Sequence, residues 1–180
     1  MTSPADLAGT WTIDPAHTQI GFVARHAMVT KVRGTFDTFA GSLTIDPASP
    51  SDSKVSFTAD LASVNTGVAD RDGHLRSADF FDAENNKEMV FESTEVSFAG
   101  ETGTLKGNLT IKGITQPVTV DVEIGGVTKD PFGNTRAGFE GTATISRKDF
   151  GLTWNAPLEV GGWLVSDEIK VVLDIAAIKQ

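Results

Sequence analysis

Cysteine is absent from the 180 residues. That removes disulfides, thiolate nucleophiles and Cys-based zinc or iron–sulfur sites. No window of about 18 apolar residues occurs, so no membrane-spanning helix is expected. There is no basic stripe, and 15 basic against 24 acidic residues give a net charge of −9. A nucleic-acid partner asks for the opposite balance, and an anionic lipid surface repels such a chain taken as a whole. No Gly-x-Ser-x-Gly elbow or Gly-rich phosphate loop is present, and no motif pairs carboxylates or positions a triad, so no catalytic residue is assigned. His17, His26 and His74 lack His-x-His or i, i+4 spacing, so no metal is expected. The start, MTSPADLAGTW, has neither a basic nor an apolar leader region. Read as a native start it points to the cytoplasm; a trimmed start leaves a periplasmic or secreted protein open. No linker or charge block divides the chain, which reads as one domain over 1–180.

What is present is alternation. Leu105 to Ile124, LKGNLTIKGITQPVTVDVEI, reads as two strands around a turn at 113–117, with Pro117 at a strand start. Leu105, Gly107, Leu109 and then Val118, Val120, Val122 share one apolar face. A two-stranded ribbon cannot bury that face alone, so further strands must supply the opposite wall.

They are supplied. Residues 10–14 form a short strand. The segment 19–29 places Ile20, Phe22 and Ala24 inward, with His26 at its far end. Residues 31–46 read as one long strand carrying Val32, Gly34, Phe36, Leu43 and Ile45, bent at Gly41. Residues 54–64 bring Phe57 and Ala59, 89–98 bring Phe91, and 136–146 bring Phe139, Gly141 and Ala143. The last strand, 167–178, adds Leu173. Only 68–82 breaks the pattern: Arg71, His74, Leu75 and Ala78 recur at helical spacing. About eight strands with adjacent connections and one helical insertion predict an all-β, antiparallel up-and-down barrel. Small inward residues (Ala24, Ala59, Gly107, Ala137, Gly141, Ala143) among Phe and Val point to an open apolar lumen. The competing reading is that Gly107 and Gly141 merely relieve strand coiling in a filled barrel.

The segments WTIDPAHTQIGFVARH (11–26), VRGTF (32–36), RDGHLRSADFFDA (71–83), LKGNLTIKGITQPV (105–118), SRKDFGL (146–152) and VSDEIKVVLDI (165–175) resemble, in order and spacing, the YceI-like family of polyisoprenoid-binding proteins. The resemblance covers nearly the whole chain. It implies an elongated lipocalin-like barrel with a helix near one end and a long apolar tunnel. It also implies a prenyl chain or prenylated quinone as ligand and no other cofactor. Two departures stand out: many members carry a secretory signal, and Asn86-Lys87-Glu88 replaces the usual Tyr-Pro before a strand.

At the mouth, His26, Arg71, His74 and Leu75 are candidates to meet a polar head, against a helix simply packed on the barrel by Leu75. Arg147 could neutralise a phosphate or polarise a quinone carbonyl, against a structural brace to Asp149. Trp154 and Trp163 could wall the entrance or plug it, while Trp11 reads as the plug of the opposite end. The expected role is binding, storage or transport of a long apolar lipid without catalysis. The alternatives are an enzyme acting on a lipid or quinone at the mouth, a fatty-acid or amide carrier, and a ligand-free structural barrel. Residues 171–178 are apolar on both faces, which calls for a cover: the helix, or a second subunit in a homodimer.

Overall fold

Successive side chains of a strand point to opposite faces, and here that alternation closes into a ring. The computed structural model describes residues 2–180. Among them lie β1 (Gly9–Ile13), β2 (Gln19–His26), β3 (Thr30–Phe36), β4 (Phe39–Ile45), β5 (Lys54–Asp60) and β6 (Val64–Asn65). After helix α1 (Ala69–Arg76) come β7 (Glu88–Ala99), β8 (Thr102–Ile111), β9 (Ile114–Lys129), β10 (Thr135–Ser146) and β11 (Glu168–Lys179). Strands β1, β4, β5, β7, β8, β9, β10 and β11 pair in that order, and β11 returns to β1, closing an eight-stranded antiparallel barrel. The three remaining strands, β2, β3 and β6, continue as a flap from β11.

One edge of β11 serves two partners. Its end (Ala177–Lys179) pairs with β1, and Lys170–Asp174 pairs with β2. Between them Pro15–His17 forms a short 3-10 turn. The Thr18 hydroxyl there donates to the Ala176 carbonyl at 3.2 Å and accepts its N–H at 3.0 Å, standing in for the interrupted ladder.

Several boundaries differ from the sequence reading. The strand expected over 31–46 is two strands, split at Asp37-Thr38. Gly41 is not the bend: it lies inside β4, where a Cβ would collide with the Ile13 side chain. The β8–β9 turn is only Lys112-Gly113, both left-handed (φ 54° and 75°) and joining paired Ile111 and Ile114. Pro117 therefore lies within β9, opposite Asn108, on a stretch where β10 has not yet begun to pair. The helix is shorter than 68–82, and Ala78 falls in the turns that follow it. It packs at the mouth, so it is not the cover expected for the outer face of β11; Val172 stays 40% exposed there.

Two apolar clusters fill the ends. At the bottom, Leu7, Trp11 and Ala177 are fully buried, and the Trp11 indole N–H donates to the Leu7 carbonyl at 2.8 Å. Trp11 is thus the plug its position suggested. The mouth cluster holds Leu61, Val64, Phe80, Phe150 and Leu152. Outside the bottom cluster, Arg136 of β10 donates to Asp14 and to Asp130, both at 2.6 Å. The guanidinium, helped by His17, holds the Asp14 carboxyl down to about 2 and Asp130 well below the usual carboxylate range.

Candidate functional site

Between the two clusters runs a cavity of about 270 Å³. Its wall follows from strand alternation: Ile20 and Phe22 of β2, Phe91 of β7, Leu109 of β8, Val120 of β9, and Phe139, Gly141 and Ala143 of β10. The residues of β11 that line it run from Ile169 to Leu173 and Ile175, about 20 Å at ~3.3 Å per residue. Phe36 and Phe57 complete the wall. No polar atom surfaces into it: Arg147 and Glu140 touch it only through apolar atoms.

Three lumen candidates lie elsewhere. Ala24 sits in the outer half of the β2–β3 hairpin, beyond the cavity, and Ala59 is buried in the mouth core rather than on the lining. Gly107 does not open space, because the Phe91 ring lies over it where a Cβ would stand. The same packing recurs at Gly34 under Phe22 and Gly103 under Phe98. Of the small inward residues, Gly141 and Ala143 line the cavity, whereas Ala24, Ala59, Gly107 and Ala137 do not. Most of these glycines accept neighbouring rings, and nine of the eleven phenylalanines line the cavity.

The mouth is closed by α1, the turns to residue 86 and the loop after β10. Leu75 of α1 and Phe80 and Phe81 of the turns face the cavity. The Phe80-Phe81 pair was legible as the one aromatic dipeptide in a polar stretch. His74 does not line the cavity: its ring stands edge-on to Trp154 (4.6 Å) and Phe80 (5.0 Å), and Nε2 lies 2.9 Å from Asp79. Arg71 turns to Thr66, donating to its hydroxyl at 2.7 Å and its carbonyl at 2.8 Å. Buried Asp72 accepts the Thr66 N–H at 2.8 Å, so the helix start is tied to Thr66 from two sides. Sequence reasoning missed that role of Asp72.

Arg147 is 3% exposed, and every hydrogen bond it makes is spent on the loop. It donates to the carbonyls of Leu152 (2.6 Å), Ser166 (2.8 Å), Trp154 (2.9 Å) and, more loosely, Val165. Its ionic neighbour is Asp167 at 3.5 Å, not Asp149. Burial lowers its pKa, and Asp167 opposes that. Asn155 adds a second brace by exchanging two hydrogen bonds with Val165. Trp154 thereby becomes part of the mouth, while Trp163 is 57% exposed and off the lining. His26 is also exposed, though it pairs with Val165, which does line the cavity. Among the described residues, no group of three or more His, Asp or Glu side chains is placed to hold a metal.

Known proteins share this architecture. The YceI-like domain profile matches residues 11–177. A UPF0312 protein of Pseudomonas aeruginosa is 39% identical over 182 residues, spanning 100% of this chain and 92% of its own. Another from Serratia proteamaculans is 44% identical over 155 residues, 85% of this chain and 81% of its own. Among solved structures, BcnA of Burkholderia cenocepacia superposes with a TM-score of 0.78 at 25% identity, covering 91% of this chain and 98% of that one. The YCEI protein of Campylobacter jejuni gives 0.74 at 31% identity, over 87% and 90%. A polyisoprenoid binding domain from Saccharophagus degradans gives 0.71 at 15% identity, over 94% and 98%, a likeness of fold.

Proposed function

The chain belongs to the YceI-like family, and from that membership and the wholly apolar cavity we propose that it binds a long isoprenoid chain in the barrel lumen. The carrying observation is a cavity lined along about 20 Å of the tilted strand β11, at ~3.3 Å per residue, into which no polar atom surfaces. Such a tube offers affinity through burial, at about 0.8 kcal/mol per methylene, and offers nothing to a polar or short ligand. Its resting volume of about 270 Å³ is slightly under the ~300–1,000 Å³ usual for ligand pockets. A prenyl tail therefore enters by displacing rings such as Phe80 and Phe81 at the mouth. The role is holding or carrying, without catalysis: the mouth side chains with chemical potential, Arg147 and His74, are engaged by loop carbonyls and by Asp79.

Solvent extraction of purified protein followed by mass spectrometry tests this directly. The expected result is one apolar lipid with an isoprenoid mass series, near stoichiometric. A protein that yields no lipid, and takes up none when offered a prenylated quinone, contradicts the reading.

A further inference from the structure

We propose that the tip of the β2–β3 hairpin and the neighbouring 157–163 loop form a docking surface for an anionic bilayer, one that brings the cavity mouth to the membrane. The tip is built against local preference. Ala27 and Met28 both adopt left-handed backbone (φ 50° and 64°), and the Val29 N–H donates to the His26 carbonyl at 3.2 Å. A turn of this kind ordinarily takes Asn-Gly, and side chains at positive φ carry strain. The loop holds the strained turn in place: the Ala27 N–H donates to the Leu164 carbonyl at 2.7 Å, and His26 pairs with Val165. What the strain secures is the outward display of Met28 and Val29.

Both are open to solvent, 62% and 74% exposed, and so are Val160 (94%) and Trp163 (57%). Met28 lies against Gly162, so the two loops abut and present one patch. Isolated exposed apolar side chains are ordinary, whereas a contiguous group marks an interaction site. Trp is suited to the headgroup region, apolar on its rings and polar at its N–H.

Charge selects the partner. On the outer face of the same hairpin Arg25 stands opposite Lys31, and Val23 stands between Arg33 and Lys170. Among the described residues none of these four cations has a carboxylate within 4.0 Å. The acids nearby are Asp167, engaged by Lys148 at 3.0 Å, and exposed Glu159 and Glu168. The acidic excess lies away from the tip, where Glu123, Glu140 and Asp174 stand side by side across β9, β10 and β11. Asp174 is four residues along β11 from Lys170, about 13 Å at ~3.3 Å per residue, beyond a Debye length of about 8 Å. The net charge of −9 thus does not repel the bilayer from this side, and cations beside an apolar tip suit an anionic leaflet. Val165 joins the two sites, pairing with His26 outside and lining the cavity inside.

This inference adds to lumen binding and does not rest on it, because the outer surface alone meets the bilayer. Flotation with vesicles of equal parts phosphatidylcholine and phosphatidylglycerol tests it, with pure phosphatidylcholine vesicles as reference. The wild-type chain is expected to float with the mixed vesicles and to be released by salt. Val160→Asp, at a site too exposed to affect folding, is expected to weaken partition about tenfold, the scale of one buried Val side chain. The double variant Lys31→Glu/Arg33→Glu should lose the preference for the anionic vesicles. Failure of the wild type to float, or equal partition of all three proteins, overturns the proposal. So does sedimentation showing a dimer that Val160→Asp dissociates, since a second copy then occupies the patch. Extraction of the same samples keeps the two readings apart: flotation by a lipid-free protein supports docking while refuting lumen binding.

Discussion

Ala143 faces the cavity from the middle of β10, flanked on the same face by Gly141 and Ile145. A phenyl ring there enters free volume. Ala143→Phe is therefore expected to melt close to the wild type without lipid and to lose lipid occupancy on extraction. Were the barrel a filled core, the same change would cost roughly 1–3 kcal/mol, and a melting scan distinguishes the two. Gly107→Phe is the contrasting case. The Phe91 ring occupies the position of its Cβ, so this variant should unfold at markedly lower temperature whether or not lipid is present. At this scale the sequence was a good guide to side and a poor one to space. Alternation told which way Leu109, Val120, Phe139 and Leu173 point, because strand geometry fixes that locally. It could not tell that a neighbour's ring lies over Gly107, because that depends on which strands pair and in what register.

Helix α1 has eight residues, with Gly73 inside it and no side-chain cap on its first turn. Isolated helices of that length do not form in water. Its order comes from outside: Asp72 and Arg71 at Thr66, Leu75 on the lumen, and His74 on Trp154. Few of these contacts resemble the ladder between β8 and β9, which pairs ten residues of each strand. Amide hydrogen exchange should therefore show residues 69–76 opening well before 105–124, and lipid should slow the former more. Equal protection in both segments would contradict a gate at the mouth. Asp72→Ala removes one tie at Thr66 and should speed both exchange in α1 and lipid uptake, with a small effect on global melting. The helix itself was legible from the spacing of Arg71, His74 and Leu75. Its anchor was not, since Thr66 lies in the loop between β6 and α1 and its partnership with Asp72 exists only once the chain has turned.

The ring closes where β1 meets β11, and Arg136 clamps the neighbouring surface by joining the 14–18 break to the β9–β10 turn. Both carboxylates are held below the ordinary value of about 3.9. A depressed pKa means stability that is present above that value and lost as pH falls through the folded one. The melting temperature should thus decline as pH drops from about 4 toward about 2. Arg136→Gln should melt lower at neutral pH, and its deficit should shrink over that window; a deficit constant with pH would show that the clamp acts by packing alone. A closed antiparallel barrel was readable from strand count and spacing, but which strands meet to close it was not. One edge of β11 is divided between β1 and β2, and no local pattern announces that division. One outcome of that architecture concerns length. Trp11 and Leu7 stop the bottom of the tube, so a ligand has a single entrance and must lie with its tail at the floor. If an isoprenoid chain fills the lumen as proposed, the barrel would act as a ruler: a chain matching its depth would set its head level with Phe80 and Trp154, and every added unit would push that head outward.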